Sequence, residues 1–280
     1  MIRVSGIQLS LHPLFVLVML LSVITGQFLE LLTLFIIVLI HELGHVCAAL
    51  LMGVTVKSVQ LLPFGGVAVI EDHGRLNAGR EIAIALAGPL QNGIMILIAL
   101  VLQQLGSGST AFLAYFIQAN AIIALFNLLP VLPLDGGKIV QAALSMLLPY
   151  YYTLLWSGRV SIAASGLVIS YALLPLTAGS GLRLNLLMIG AFLLYSNITD
   201  QRNLHYRFLA FLMNREAAYE RYLRLGSAAR PIVAFAAKPL DDILRLFKRN
   251  QYHFIYVMND DKNVVAVVPE QRLISSYFGR

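Results

Sequence analysis

The sequence predicts a polytopic α-helical membrane protein, with six transmembrane helices followed by a small C-terminal α/β domain. Three observations lead there. Of 280 residues, 59% are hydrophobic and only 12% charged, about half the charged share of an ordinary soluble domain. Apolar runs of the length that crosses a bilayer recur through the first 200 residues. The charge is uneven as well: residues 1–199 hold 7 Lys/Arg and 6 Asp/Glu, and residues 200–280 hold 13 and 8.

The runs fall at 8–25, 30–52, 82–105, 111–131, 160–178 and 182–198. The N-terminal stretch resembles a signal peptide weakly and lacks an A-x-A cleavage site, so it reads as a retained first span. Gly53, GSGST at 106–110 and AGSG at 178–181 separate the later runs. The last of these turns is short enough to make the fifth and sixth spans a helical hairpin. An even number of spans puts both termini on one side. That side collects Arg3, Lys57, Arg75, Arg80, Lys138, Arg159 and the basic tail, and the other has only Arg183. The asymmetry predicts cytosolic termini. Between the second and third spans, VTVKSVQLLPFGGVAVIE alternates around Pro63 and Gly65-Gly66, predicting two short strands.

The composition break near Asp200 divides the chain into a membrane domain at 1–199, a basic helical linker at 200–226 and a small domain at 227–280. In the last, PIVAFAA, PLDDILRLFKRNQ, HFIYVM, VVAVV and PEQRLISSYF read as strand, helix, strand, strand, helix, with a turn at NDDKN. The net charge of +6 is explained by basic residues facing anionic lipid, so nucleic acid is not an expected partner. Cys47 is the single cysteine, which excludes an internal disulfide; it reads as packing.

Within the second apolar run lies His41-Glu42-Leu43-Gly44-His45, an H-E-x-x-H pattern. Helical spacing stacks the two imidazoles on one face, where they can converge on zinc, and places Glu42 within reach of an attacking water. A catalytic zinc takes three protein ligands. For the third, His12, Glu71, Asp72 and His73 are available, and Asp135 is the strongest choice. It follows the prolines of FNLLPVLPLDGG at 126–137, at the same expected membrane depth as His45.

With HELGH at 41–45, AGPLQN at 87–92 and FNLLPVLPLDGG at 126–137, the chain resembles the site-2 protease family of intramembrane zinc metalloproteases over its whole length. It is most similar to the sporulation subgroup, which carries a C-terminal cystathionine-β-synthase-type (CBS) domain. The resemblance implies Zn²⁺ on His41, His45 and Asp135, with Glu42 as catalytic base. It implies substrate contacts at Asn127 and at Phe64, Gly65 and Gly66, and site-shaping roles for Gly88, Pro89 and Asn92. It further implies a membrane-associated substrate, a sigma-factor precursor in the sporulation subgroup, with membrane-bound inhibitor proteins as partners and the forespore outer membrane, facing the mother cell, as location. A PDZ domain, present in many relatives, is not evident. A single CBS-type motif predicts a homo-oligomer paired through the C-terminal domains, with ATP as a regulator and its binding residues unassigned.

Two rival readings remain open on sequence. One is another membrane zinc endopeptidase, such as a prenyl-protein protease, which would lack the LDGG turn. The other is a metal-dependent transporter or metal-binding scaffold using His41, His45 and Asp135 as an ion site. Transporters commonly show repeated halves, and no internal repeat is detectable in this chain.

Overall fold

The computed structural model describes residues 2–4, 7–11, 23–54, 56–62, 65–70, 77–177, 181–215, 219 and 228–279. The chain divides into two compact units: residues 1–72, 80–130 and 134–139 form one, and residues 73–79, 131–133 and 140–280 form the other.

The first unit contains a four-stranded sheet in the order β1 (Ile2–Val4), β2 (Ile7–Leu11), β3 (Val56–Leu62), β4 (Gly65–Ile70). The hairpin expected around Gly65-Gly66 is present, with Leu62 opposite Gly65 and Val56 opposite Ile70. Strand β2 runs parallel to β3, from Gln8 opposite Ser58 to Leu11 opposite Leu61. The span expected at 8–25 therefore opens as a strand; residues 12–22 lie outside the described residues. A parallel pairing between segments some fifty positions apart leaves no local signature, and IQLSL was absorbed into the apolar run beside it.

Three helices complete this unit: α1 (Phe28–Leu51), α2 (Ala78–Gln104) and α3 (Thr110–Asn127). Helix α1 ends at Leu51, and Gly53 just beyond its cap turns the chain with a φ of 72°, a conformation that glycine adopts without strain. Ser109 opens α3 by accepting a hydrogen bond from the Phe112 N–H. Helix α3 stops at Asn127, short of the expected 131, because the residue before Pro130 is driven out of the helical region. Ile37, Met95 and Ala119 form the core among the three helices, supported by Leu34, Ile40, Phe116 and Ile123. A Cβ on Gly44 would stand 2.7 Å from the Ala87 carbonyl oxygen and 2.6 Å from Gln91 Cγ, so a side chain at this position would push α1 away from α2. Helix α4 (Asp135–Leu147) starts against the loop before it: a Cβ on Gly136 would fall on the carbonyls of Leu128 and Leu129.

In the second unit, α5 (Tyr150–Thr177) and α6 (Leu184–Arg202) form the expected hairpin. Gly190 packs against Ile169 and Gly158 against Gln201, an antiparallel correspondence. Helix α5 begins at Tyr150 rather than 160. Thr153, Ser157 and Ser165 return their hydroxyl hydrogens to carbonyls of the preceding turn, which satisfies polar groups that interrupt the apolar pattern. After α7 (Leu204–Met213) come β5 (Ala229–Phe235), α8 (Leu240–Leu244), β6 (Tyr252–Met258), β7 (Val264–Pro269) and α9 (Glu270–Tyr277), in the expected order. The sheet is β5-β6-β7, with β5 parallel and β7 antiparallel to β6. One of its faces packs through Ile232, Ala234 and Ile255 on Leu244, Phe247 and Leu273, joined by Phe208, Phe211 and Leu212 of α7. Among these buried groups Arg215 makes a two-pronged ion pair with Glu270 and donates to the carbonyls of Lys248 and Gln251. His253 adjoins both charged partners.

Among the described residues, four helices are long and apolar enough to cross a membrane: α1, α2, α3 and α5, the last over Tyr150–Pro175. Helix α6 is of similar length, but its last turns carry Asn197, Asp200, Gln201 and Arg202. Large apolar side chains such as Leu90, Leu97 and Leu167 project outward from these helices, as hydrocarbon contact requires. The protein is an integral membrane protein.

Candidate metal centre

His41 and His45 lie one turn apart on α1, only 2% and 6% exposed, and Asp135 at the first position of α4 is 4% exposed. Their nearest atoms form an almost equilateral triangle. His41 Nε2 and His45 Nε2 are 3.2 Å apart, and Asp135 Oδ2 lies 3.2 Å from the first and 3.0 Å from the second. Among the described residues this is the one group of three metal-ligating side chains that converges in this way. Glu42, next to His41, is also buried.

The outer ring nitrogens settle the chemistry of the inner ones. His45 Nδ1 lies 2.7 Å from the Ile84 carbonyl oxygen. A carbonyl only accepts, so His45 Nδ1 donates and its neutral ring leaves Nε2 a bare lone pair. His41 Nδ1 donates likewise to Asn92 Oδ1 at 2.6 Å. Two lone pairs and a carboxylate oxygen thus point at one another across about 3 Å, an arrangement that a cation relieves. Tetrahedral zinc with bonds of about 2.0 to 2.1 Å would separate its ligands by roughly 3.3 to 3.4 Å, close to the observed triangle. Nitrogen and oxygen donors held by partners on their far sides are the expected surroundings of such an ion. The residues present fit zinc.

Lys138 Nζ bonds Asp135 Oδ1 at 3.1 Å, so Oδ2 alone faces the histidines. Gly88 provides the space. A Cβ there would come within 2.6 Å of His41 Nε2 and closer still to His45 Nε2, filling the point at which the donors meet.

Of the residues expected at the site, the structure brings together His41, His45 and Asp135, with Gly88 and Asn92 against them. Pro89 lies inside α2, beside Gly88. Asn127 donates to the Ile123 carbonyl of its own helix. Gly65 and Gly66 begin β4, opposite Leu62 and Leu61, while Phe64 lies outside the described residues, as do the other possible ligands His12, Glu71, Asp72 and His73. Cys47 is exposed on α1 and stands outside the triangle. Three contributors were not anticipated: the Ile84 carbonyl, Lys138 and Asn120. The last two carried a signal, since Lys138 is three residues from Asp135 on one helix, and Asn120 is an amide inside an apolar span.

Residues 29–109 and 102–151 match the family model of peptidase family M50. Stage IV sporulation protein FB of Bacillus subtilis is 29% identical over 97% of this chain and 92% of its own length. A zinc metalloprotease of Methanocaldococcus jannaschii is 32% identical, over 51% of this chain and 44% of its own. Among solved structures, the site-2 protease from Methanocaldococcus jannaschii superposes with a TM-score of 0.57 at 26% identity, covering 72% of this chain and 94% of that one.

Proposed function

Because the chain belongs to peptidase family M50, the site-2 proteases, and is a zinc metalloprotease, we propose that it hydrolyses a peptide bond of a membrane-associated substrate near the cytosolic face of the bilayer. The observation that carries this reading is the buried triangle of His41, His45 and Asp135 with Glu42 alongside.

In this reading His41, His45 and Asp135 hold the ion. Zinc, when bound, supplies Lewis acidity to the scissile carbonyl and to the attacking water. Glu42 accepts a proton from that water and returns it to the leaving nitrogen as the C–N bond breaks, so that one water is consumed and two termini form. Asn92 and Ile84 keep the histidine rings oriented, and Lys138 keeps Asp135 presented through one oxygen. A helical substrate shields its own carbonyls and must unwind first. Strand β4 ends the sheet order, and its outer edge, starting at Gly65-Gly66 beside Phe64, offers backbone groups to an extended segment. Asn127, on the helix before the LDGG turn, would contact the substrate backbone.

The wider setting is part of the same proposal, on likeness to the sporulation protein over nearly the whole chain. That likeness supports six spans, cytosolic termini, a location in the forespore outer membrane, a sigma-factor precursor as substrate and membrane-bound inhibitor proteins as partners. The C-terminal strand and helix order supports a CBS-type domain with ATP as regulator. Pairing of these domains between chains is supported by the uncovered sheet face, where Val233, Tyr256 and Val267 sit in register, and Val233 and Val267 are half exposed or more.

The test is cleavage by the purified full-length protein in liposomes containing a membrane-tethered sigma-factor precursor. Loss of cleavage on chelation and its return with zinc are expected. Cleavage indifferent to chelation would refute the metalloprotease reading; zinc-dependent cleavage of an unrelated tethered protein with the precursor left intact would refute the substrate assignment alone.

A further inference from the structure

The amide that orients His41 is itself held by a second amide, and the sense of every bond in the chain is fixed from its far end. Asn120 Nδ2 donates to the Phe116 carbonyl oxygen at 2.9 Å. That oxygen only accepts, so Asn120 must turn its own NH₂ toward it and its Oδ1 away. Asn120 Oδ1 then accepts from Asn92 Nδ2 at 3.0 Å, which obliges Asn92 to present Oδ1 to His41 Nδ1. Both asparagines are fully buried, so no solvent competes for these groups. A rotated Asn92 would offer its NH₂ to His41 Nδ1. The ring would then carry its proton on Nε2, aimed into the triangle and unable to ligate.

We propose that Asn120 is a positioning residue for the metal centre: anchored on the Phe116 carbonyl of α3, it locks the Asn92 amide and thereby selects the His41 tautomer whose Nε2 is free for the ion. The relay crosses three helices, α3 to α2 to α1, so the packing of these spans and the ligating state of His41 are one system. The inference rests on the metalloprotease reading. It adds that a residue touching neither substrate nor ligand controls metal affinity through a proton position.

The test uses the full-length protein in detergent, with Zn²⁺ affinity measured by chelator competition and the ligand field read from the absorption of the Co²⁺-loaded form. Asn120→Leu, close in size but without hydrogen-bonding groups, should weaken both metals about tenfold, and Asn92→Leu by about ten- to a hundredfold. Because Asn120 acts through Asn92, the double variant should bind no worse than Asn92→Leu alone. Asn120→Asp in its protonated form keeps a donor for Phe116 and an acceptor for Asn92. It should stay within about threefold of wild type, with an unchanged Co²⁺ spectrum.

Three results would overturn the relay: wild-type affinity in Asn120→Leu, losses that multiply in the double variant, or equal losses in Asn120→Leu and Asn120→Asp. A wild-type chain that binds neither metal would instead overturn the metalloprotease reading on which the relay depends.

Discussion

Gly88 of α2 lies directly against His45 of α1, with no room for even a methyl group between its Cα and the imidazole Nε2. Alanine is the better helix former by about 1 kcal/mol, yet at this position its Cβ would occupy the meeting point of the donors. Gly88→Ala should therefore keep the helix and lose the metal, with zinc affinity falling by about a hundredfold or more, a larger loss than a supporting residue causes. Chelator competition measures it. Wild-type affinity in a folded Gly88→Ala protein would show that the ion sits elsewhere.

Glu42→Gln should retain zinc and lose cleavage. The amide preserves shape and hydrogen-bonding reach but cannot take the proton of the attacking water, and general-base loss costs about 10²- to 10⁴-fold. Metal content and turnover are measured on the same preparation. Near wild-type turnover in the metal-loaded variant would remove Glu42 from the chemistry.

The C-terminal unit should lose stability on acidification. Burial pushes His253 below its ordinary value of 6.5; the hydrogen bond with Glu270 offsets part of this, and the charges of Arg215 and Arg230 add to the depression. The folded protein then binds fewer protons than the unfolded chain once the pH falls below about 6.5. The stability linked to this group is complete above that value and is lost as the pH falls through the folded pKa. Hydrogen exchange of the 252–258 amides at pH 7.5 and 5.5 reads it locally. Protection should drop at the lower pH in wild type and drop less in His253→Gln; equal drops would assign the effect to other groups.

Topology is open to accessibility labelling in a Cys47→Ser background. A cysteine at Ser107, between α2 and α3, should react only from the extracytosolic side, and one at Ser58 on β3 only from the cytosol. Cytosolic labelling of position 107 would overturn the proposed orientation.

What the sequence disclosed follows the range of each interaction. His41, Glu42 and His45 declare themselves by spacing within one turn, and the C-terminal strands by turns and alternation within a few residues. Asp135 was legible because proline and glycine mark a chain reversal there. Strand β2 was not, since its partner β3 lies about fifty residues away and its apolar neighbours mimic a span. The relay through Asn120 was equally hidden. Its meaning depends on which way two amides face across three helices, and composition and periodicity carry no such information.

The proposed zinc site of the protease is the triad of His41, His45 and Asp135. Its most direct test is the zinc-to-protein ratio of the purified full-length chain and of Asp135→Asn, taken alongside cleavage of a tethered substrate. One zinc per wild-type chain is expected, and in Asp135→Asn a loss of zinc and of cleavage together, since the neutral amide removes the charge that balances the cation. A full complement of zinc with undiminished cleavage in Asp135→Asn would contradict it.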